Sequence, residues 1–170
     1  FRRVLFRSAS PTLLCVGSTI SLSATGVTGF SGSPTYAWTG PNSYSSAATA
    51  PSFTASVTAA SGVYSLTVTY PGTGCTSATS TTTAVTVNAV PTISSVSASP
   101  TLLCIGSTIS LSATGVTGGS GSPTYAWSGP NSYSSTAAAP SFTASVTAAS
   151  GVYSLTVTYP GTGCTSAVST

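Results

Sequence analysis

The most constraining feature of this chain is an internal repeat. Ser8 to Thr81 recurs as Ser97 to Thr170, without gaps, at an offset of 89 residues. Only six of the 74 aligned positions differ: Val16/Ile105, Phe30/Gly119, Thr39/Ser128, Ala47/Thr136, Thr49/Ala138 and Thr79/Val168. A period of 89 is too long for a solenoid turn and suits one small domain per copy. Such near-identity implies one structure for both copies and points to a longer array of them.

The local pattern is that of strands. SGVYSLTVTY occurs unchanged at 61–70 and 150–159. In it Tyr64, Leu66 and Val68 alternate with Ser65, Thr67 and Thr69, the period of two expected when one strand face is buried. Thr19–Ala24 repeats the pattern with Ile20 and Leu22 inward, Thr35–Thr39 with Tyr36 and Trp38, and Ser52–Val57 with Phe53, Ala55 and Val57. Tyr44–Ala50 reads as a weak edge segment, and a last strand begins at Cys75 and closes with Val85 and Val87. Gly40-Pro41-Asn42 predicts a turn with Pro at its first central position. Nothing has a helical period, and no apolar run is long enough to cross a membrane. The chain is therefore expected to be all-β, two sandwiches in tandem. Trp38, Tyr64 and Leu66 should anchor the first core, and Trp127, Tyr153 and Leu155 the second.

Charge narrows the function. The only charged residues are Arg2, Arg3 and Arg7; from Ala9 onward there is no Asp, Glu, Lys, Arg or His. Serine and threonine supply 67 of the 170 residues, so the expected surface is one of hydroxyls. General acid–base catalysis would have only tyrosine to draw on once the cysteines are paired, and the many serines have neither a base nor an orienting carboxylate. Calcium and zinc sites lack their carboxylates and clustered Cys or His. GVTGFSGSP (26–34) is glycine-rich, yet it has no lysine and no following helix to cradle phosphate. The reading is a non-enzymatic chain with no metal, no cofactor and no affinity for nucleic acid. Edge strands usually carry Lys or inward charge to prevent edge pairing, and these have none, which suggests packing against like copies.

Cys15, Cys75, Cys104 and Cys164 fall one pair per copy at a spacing of 60. Of the three connectivities, the repeat favours Cys15–Cys75 with Cys104–Cys164, formed in an oxidising, extracellular compartment. Each bridge is expected to add about 4 kcal/mol in the chain-entropy treatment. FRRVLFRS (1–8) matches the read-through translation of a common sequencing adapter and is expected to be a non-native leader. The counterpart of Pro91–Val96 is missing before Ser8, and the second copy stops at Thr170, where the first continues through Thr82–Val87. A fragment is expected, with repeats at 9–90 and 91–170.

Several motifs together carry a family resemblance. GVYSL (62–66) resembles the corner that leads into strand F of immunoglobulin-like domains, with Leu66 where antibody domains place cysteine. The resemblance implies that the Tyr64 hydroxyl bonds back to the corner backbone and that Trp38 is the core tryptophan of strand C. With CVGSTISLSATG, YAWTGPNSYSS and GTGCTS, the chain is similar to immunoglobulin-like, PKD-like repeats of secreted and surface proteins of Bacteroidetes-type bacteria. The acidic PKD stretch is replaced by Trp38-Thr39-Gly40-Pro41-Asn42. The resemblance implies a stalk, adhesive array or surface filament whose partners are neighbouring copies. An alternative is a carbohydrate-binding accessory module or the spacer of a secreted enzyme. There, Tyr44, Tyr70, Tyr133 and Tyr159, with Phe30, would contact a polysaccharide or cell-surface ligand; the plainer reading has these rings covering core edges.

Overall fold

The computed structural model describes residues 6–28, 32–146 and 149–170. The chain divides into two compact units between Asn88 and Ala89. In the first, the strands are β1 (Phe6–Ser10), β2 (Leu13–Cys15), β3 (Thr19–Thr25), β4 (Thr35–Gly40) and β5 (Tyr44–Ser46). They continue with β6 (Ser52–Thr54), β7 (Ser65–Tyr70), β8 (Cys75–Thr76), β9 (Ser80–Thr81) and β10 (Thr86–Asn88). One sheet has the order β1-β3-β6; the other runs β5-β4-β7-β8, with β9 also on β7. Neighbours within both are antiparallel. Past Pro11 the chain leaves β3, and β2 pairs in parallel with β10.

Alternation explains the core. Ile20 and Leu22 of β3, Trp38 of β4 and Leu66 and Val68 of β7 point from the two sheets into one buried cluster, joined by Leu14 of β2 and by Val85 and Val87. The last strand is broken into three pieces, and hydroxyls fill its gaps. The Val68 N–H donates to Ser77 Oγ (3.0 Å), and the Tyr64 N–H donates to Thr82 Oγ1 (3.2 Å). Serine and threonine can do this because a short hydroxyl side chain reaches a neighbouring backbone group. This is an immunoglobulin-like all-β sandwich.

The second unit repeats the plan with β11 (Ser95–Ser99), β12 (Thr108–Thr114), β13 (Thr124–Gly129), β14 (Tyr133–Ser135), β15 (Ser141–Thr143), β16 (Ser154–Tyr159) and β17 (Cys164–Thr165). Its sheets are β11-β12-β15 and β14-β13-β16-β17. Trp127, Tyr153, Leu155 and Val157 are buried in its core. Thr101–Cys104, the counterpart of the β2 region, is not a strand here.

Three local expectations shift. Val57 does not point inward: β6 ends at Thr54, a 3-10 turn follows at Thr58–Ala60, and Val57 is exposed between them. The turn after β4 is displaced by one residue. The Tyr44 N–H donates to Pro41 O at 3.1 Å, so Pro41 opens the turn and Asn42 and Ser43 are its central residues, both with positive φ (53° and 57°). Such a turn matches the twist of the strands it joins. Finally, Phe6, Arg7 and Ser8 extend β1 in the register that Ser95, Val96 and Ser97 hold in β11, so Arg7 takes the half-buried place of a core-packing valine.

Candidate functional site

Tyrosine 64 is the centre of the best-defined constellation. Its hydroxyl donates to Ala60 O at 2.6 Å, across the corner that leads into β7. Tyr153 does the same with Ala149 O at 2.7 Å. The Tyr64 ring is fully buried, and Gly40 is the reason it fits: a Cβ there would overlap the ring, as one on Gly129 would overlap Tyr153. Burial raises the Tyr64 and Tyr153 hydroxyls above the ordinary tyrosine range, with a smaller contribution from Tyr44 and Tyr133 respectively.

The tyrosines considered as ligand contacts lie against this centre. Tyr44 stacks on Phe53 with ring centroids 4.0 Å apart and meets Tyr64 edge-on at 5.5 Å. Tyr133 packs tilted against Phe142 (4.1 Å) and meets Tyr153 edge-on (5.5 Å). Desolvation raises the Tyr44 hydroxyl, against a smaller lowering by the Ser46 side chain. Tyr70 packs half-buried on the first core, and Tyr159 is buried in the second. Tyr44, Tyr70 and Tyr133 are half-buried against the cores and Tyr159 is buried. Phe30 lies outside the described residues. Its counterpart Gly119 runs so close to Tyr159 that a side chain there would meet the ring.

The cysteines do not pair as the spacing suggests. Cys15 and Cys164 are oxidised, whereas Cys75 and Cys104 are exposed free thiols, so neither Cys15–Cys75 nor Cys104–Cys164 is present. The strand register explains why neither bridge within a copy can form. Cys15 sits opposite Asn88 at the trailing end of the first unit, where the chain leaves it. Cys75 sits opposite Tyr70, and the last strand runs back along β7 through Leu66–Ser80 to the Gly62–Val85 bridge before it reaches Asn88. From Gly62 to Tyr70 alone is about 25 Å at 3.3 Å per residue, whereas a disulfide needs Cα atoms within about 7 Å. In the second unit Cys104 lines a cleft with Gly151 and Tyr153 at the start of β16, while Cys164 pairs with Tyr159 at its far end, about 20 Å away. A spacing of 60 residues gives the length of the loop but not which end of the sandwich each cysteine occupies.

The Cys75 thiol points to Thr73 O at 3.8 Å, and the sequence from Ala9 onward holds no base to activate it. Among the described residues no group of three or more potential metal ligands comes together. Among the described residues no helix is long and apolar enough to cross a membrane. Outside the core, hydroxyls pair across strands: Ser8 with Ser23 (2.8 Å), Thr69 with Thr76 (2.9 Å), Ser95 with Thr114 (2.7 Å), Ser97 with Ser112 (2.8 Å) and Thr158 with Thr165 (2.8 Å).

No family model and no curated sequence matches the chain. Among solved structures it is similar to murine CEACAM1b, at 13% identity over 97% of this chain and 96% of that one, with a TM-score of 0.46. It is also similar to the amphioxus IgVJ-C2 molecule (15% identity, 85% and 91% covered, TM-score 0.36). The human OSCAR ligand-binding domain is a third (18% identity, 97% and 95% covered, TM-score 0.36). The immunoglobulin-like assignment rests on the sheet order, the core tryptophans and the bonded tyrosine corners.

Proposed function

We propose that this chain is a non-catalytic segment of an extracellular repeat protein, a stalk or adhesive array that projects from or assembles at a bacterial cell surface. The observation that supports it best is the surface. The strand faces turned to solvent are laid with paired serine and threonine hydroxyls, and no charged residue follows Arg7. Such a surface can pack against its own copies without burying an unpaired charge, the cost that usually opposes close side-by-side packing. The oxidised Cys15 and Cys164 suit a compartment outside the cytosol. The packing of Tyr44 and Tyr133 against phenylalanine rings weakens the case for a polysaccharide module.

Sedimentation velocity of the chain over a hundredfold range of concentration, with free thiols blocked, tests the reading. Growth of the sedimentation coefficient with concentration is expected. A chain that stays monomeric throughout, and is retained on polysaccharide until Tyr44 and Tyr70 are changed to alanine, would replace it with the carbohydrate-binding alternative.

A further inference from the structure

We propose that the cleft beside Thr101–Cys104 in the second unit is an acceptor groove for an added β-strand. Its occupant is the last strand of another copy of this repeat, a segment of the type Thr82–Asn88. The inference goes beyond the array reading and does not rest on it, because each unit is considered by itself. The first unit shows what the groove holds. There β10 lies parallel to β2, with Thr86 opposite Leu13, Val87 opposite Leu14 and Asn88 opposite Cys15. The Thr86 N–H donates to Thr12 O (2.7 Å), and the Val16 N–H donates to Asn88 O (2.8 Å). Gly62 and Val85 exchange two backbone bonds of 2.8 Å each, and Ser61 Oγ accepts from the Val87 N–H at 2.9 Å. Val85 and Val87 are buried in the core.

The receiving residues recur in the second unit. Thr101, Leu102, Leu103, Cys104, Ser150 and Gly151 correspond to Thr12, Leu13, Leu14, Cys15, Ser61 and Gly62, and all six line the cleft. Among the described residues no strand lies beside them, and Thr101 O, the Ile105 N–H and both backbone groups of Gly151 make no backbone hydrogen bond. Unpaired backbone groups along an apolar cleft are what an added strand satisfies: main-chain bonds give affinity, and pockets for alternate side chains give specificity. The groove therefore selects an uncharged extended segment with apolar residues two apart, as Val85 and Val87 are. A small apolar molecule would fill the space yet leave those backbone groups unpaired. The repeat's own last strand meets both demands. A strand already seated in its own unit would lose there what it gains here, so the ligand is an unseated one.

Cys104 supplies the reporter, since it stands where Cys15 faces Asn88 in the first unit. Neighbouring strands lie about 4.8 Å apart, within the Cα separation that a disulfide tolerates. Cys75, the other exposed free thiol, lies on β8 of the first unit and is the internal control. The test incubates the whole chain with the peptide TTAVTVN carrying Asn88→Cys, its thiol held as a mixed disulfide with an aromatic thiol. The attacking protein thiolate bonds to the peptide sulfur and releases the aromatic thiol, so no further oxidant is needed. A seated strand holds its sulfur at high effective concentration, and Cys104 should be labelled about tenfold more than Cys75 in peptide mass mapping. The preference should vanish when the peptide also carries Val85→Asn and Val87→Asn. Equal labelling of the two cysteines by the first peptide overturns the proposal. So does a Cys104 preference that survives both asparagines, because it reports thiol reactivity and not a seated strand. An apolar dye that binds the cleft and is not displaced by unmodified TTAVTVN would assign the cleft to small molecules instead. None of these results alters the sedimentation of the thiol-blocked chain, which tests the array reading separately.

Discussion

The two copies differ at six of 74 positions, yet their trailing ends are built differently. In the first, Leu14 is buried at 5% exposure, because β2 lies alongside β10 and shares the core with Val85 and Val87. In the second, the identical segment TLLC (101–104) is not a strand and has no strand beside it among the described residues; Leu102 is 92% exposed where Leu13 is 52%. A cleft of about 300 Å³ opens beside it, lined by Leu102, Leu103, Ile105 and Val146 among others. Whether this segment becomes a strand is therefore decided by its neighbour. Parallel pairing needs a partner's N–H and C=O groups, and an apolar run without one gains nothing from being extended.

The comparison can be broken directly. Appending Thr82–Asn88 (TTAVTVN) after Thr170 should order residues 101–104 and bury two further valines and a leucine. That should raise the second unit's unfolding free energy by about 4 kcal/mol in urea denaturation, with Trp127 as the reporter in a Trp38→Phe background. No gain would mean that the trailing strand does not complete the sandwich. Where the copies agree, they should fail alike. Gly40→Ala and Gly129→Ala each drive a Cβ into the corner tyrosine, and each should cost about 3 kcal/mol in its own unit. Unequal losses would show that the corners are not equivalent.

Leu14→Ala and Leu103→Ala sharpen the contrast. The first should cost about 3 kcal/mol and the second under about 1, read from the two separate transitions. The tryptophans offer a finer difference. The Trp127 indole N–H donates to Ala137 O at 3.0 Å, whereas the Trp38 indole N–H is buried without a partner. Residues 47 and 49, which flank the equivalent carbonyl, are among the six that differ. Ala47→Thr with Thr49→Ala should let Trp38 bond as Trp127 does and stabilise the first unit by about 1 kcal/mol. A red shift in its fluorescence without a stability change would count against this.

The smallest effect is expected from pH. The raised Tyr64 and Tyr153 hydroxyls are neutral when protonated. Their contribution is fully present below the unfolded tyrosine value near pH 10 and is lost as pH rises through the higher folded value. With no Asp, Glu or His in the chain, thermal melts from pH 3 to pH 9 should be nearly superimposable. An acid transition in that range would refute the expectation.

Much of the core was legible because the pleat has a fixed period of two. Ile20, Leu22, Leu66 and Val68 can be read off by alternation alone. The tyrosine corner was legible for a different reason: its bond spans only four residues, from Tyr64 to Ala60, so the local motif contains both partners. The displaced turn at Pro41 was not legible, since proline is tolerated at more than one turn position and the left-handed Asn42-Ser43 pair lacks the usual glycine. Val57 was misplaced because alternation does not announce where a strand ends.

Sequence by itself determined the class of this protein: the repeat, the strand pattern, and a chemistry without charge from Ala9 onward. These follow from residue type and spacing along the chain. Tertiary structure alone decided which cysteines can meet, how far each tyrosine is covered, and whether Leu13–Cys15 and its twin become strands. Each of those depends on segments far apart in sequence that the sheets bring to the same end of a sandwich or hold at opposite ends.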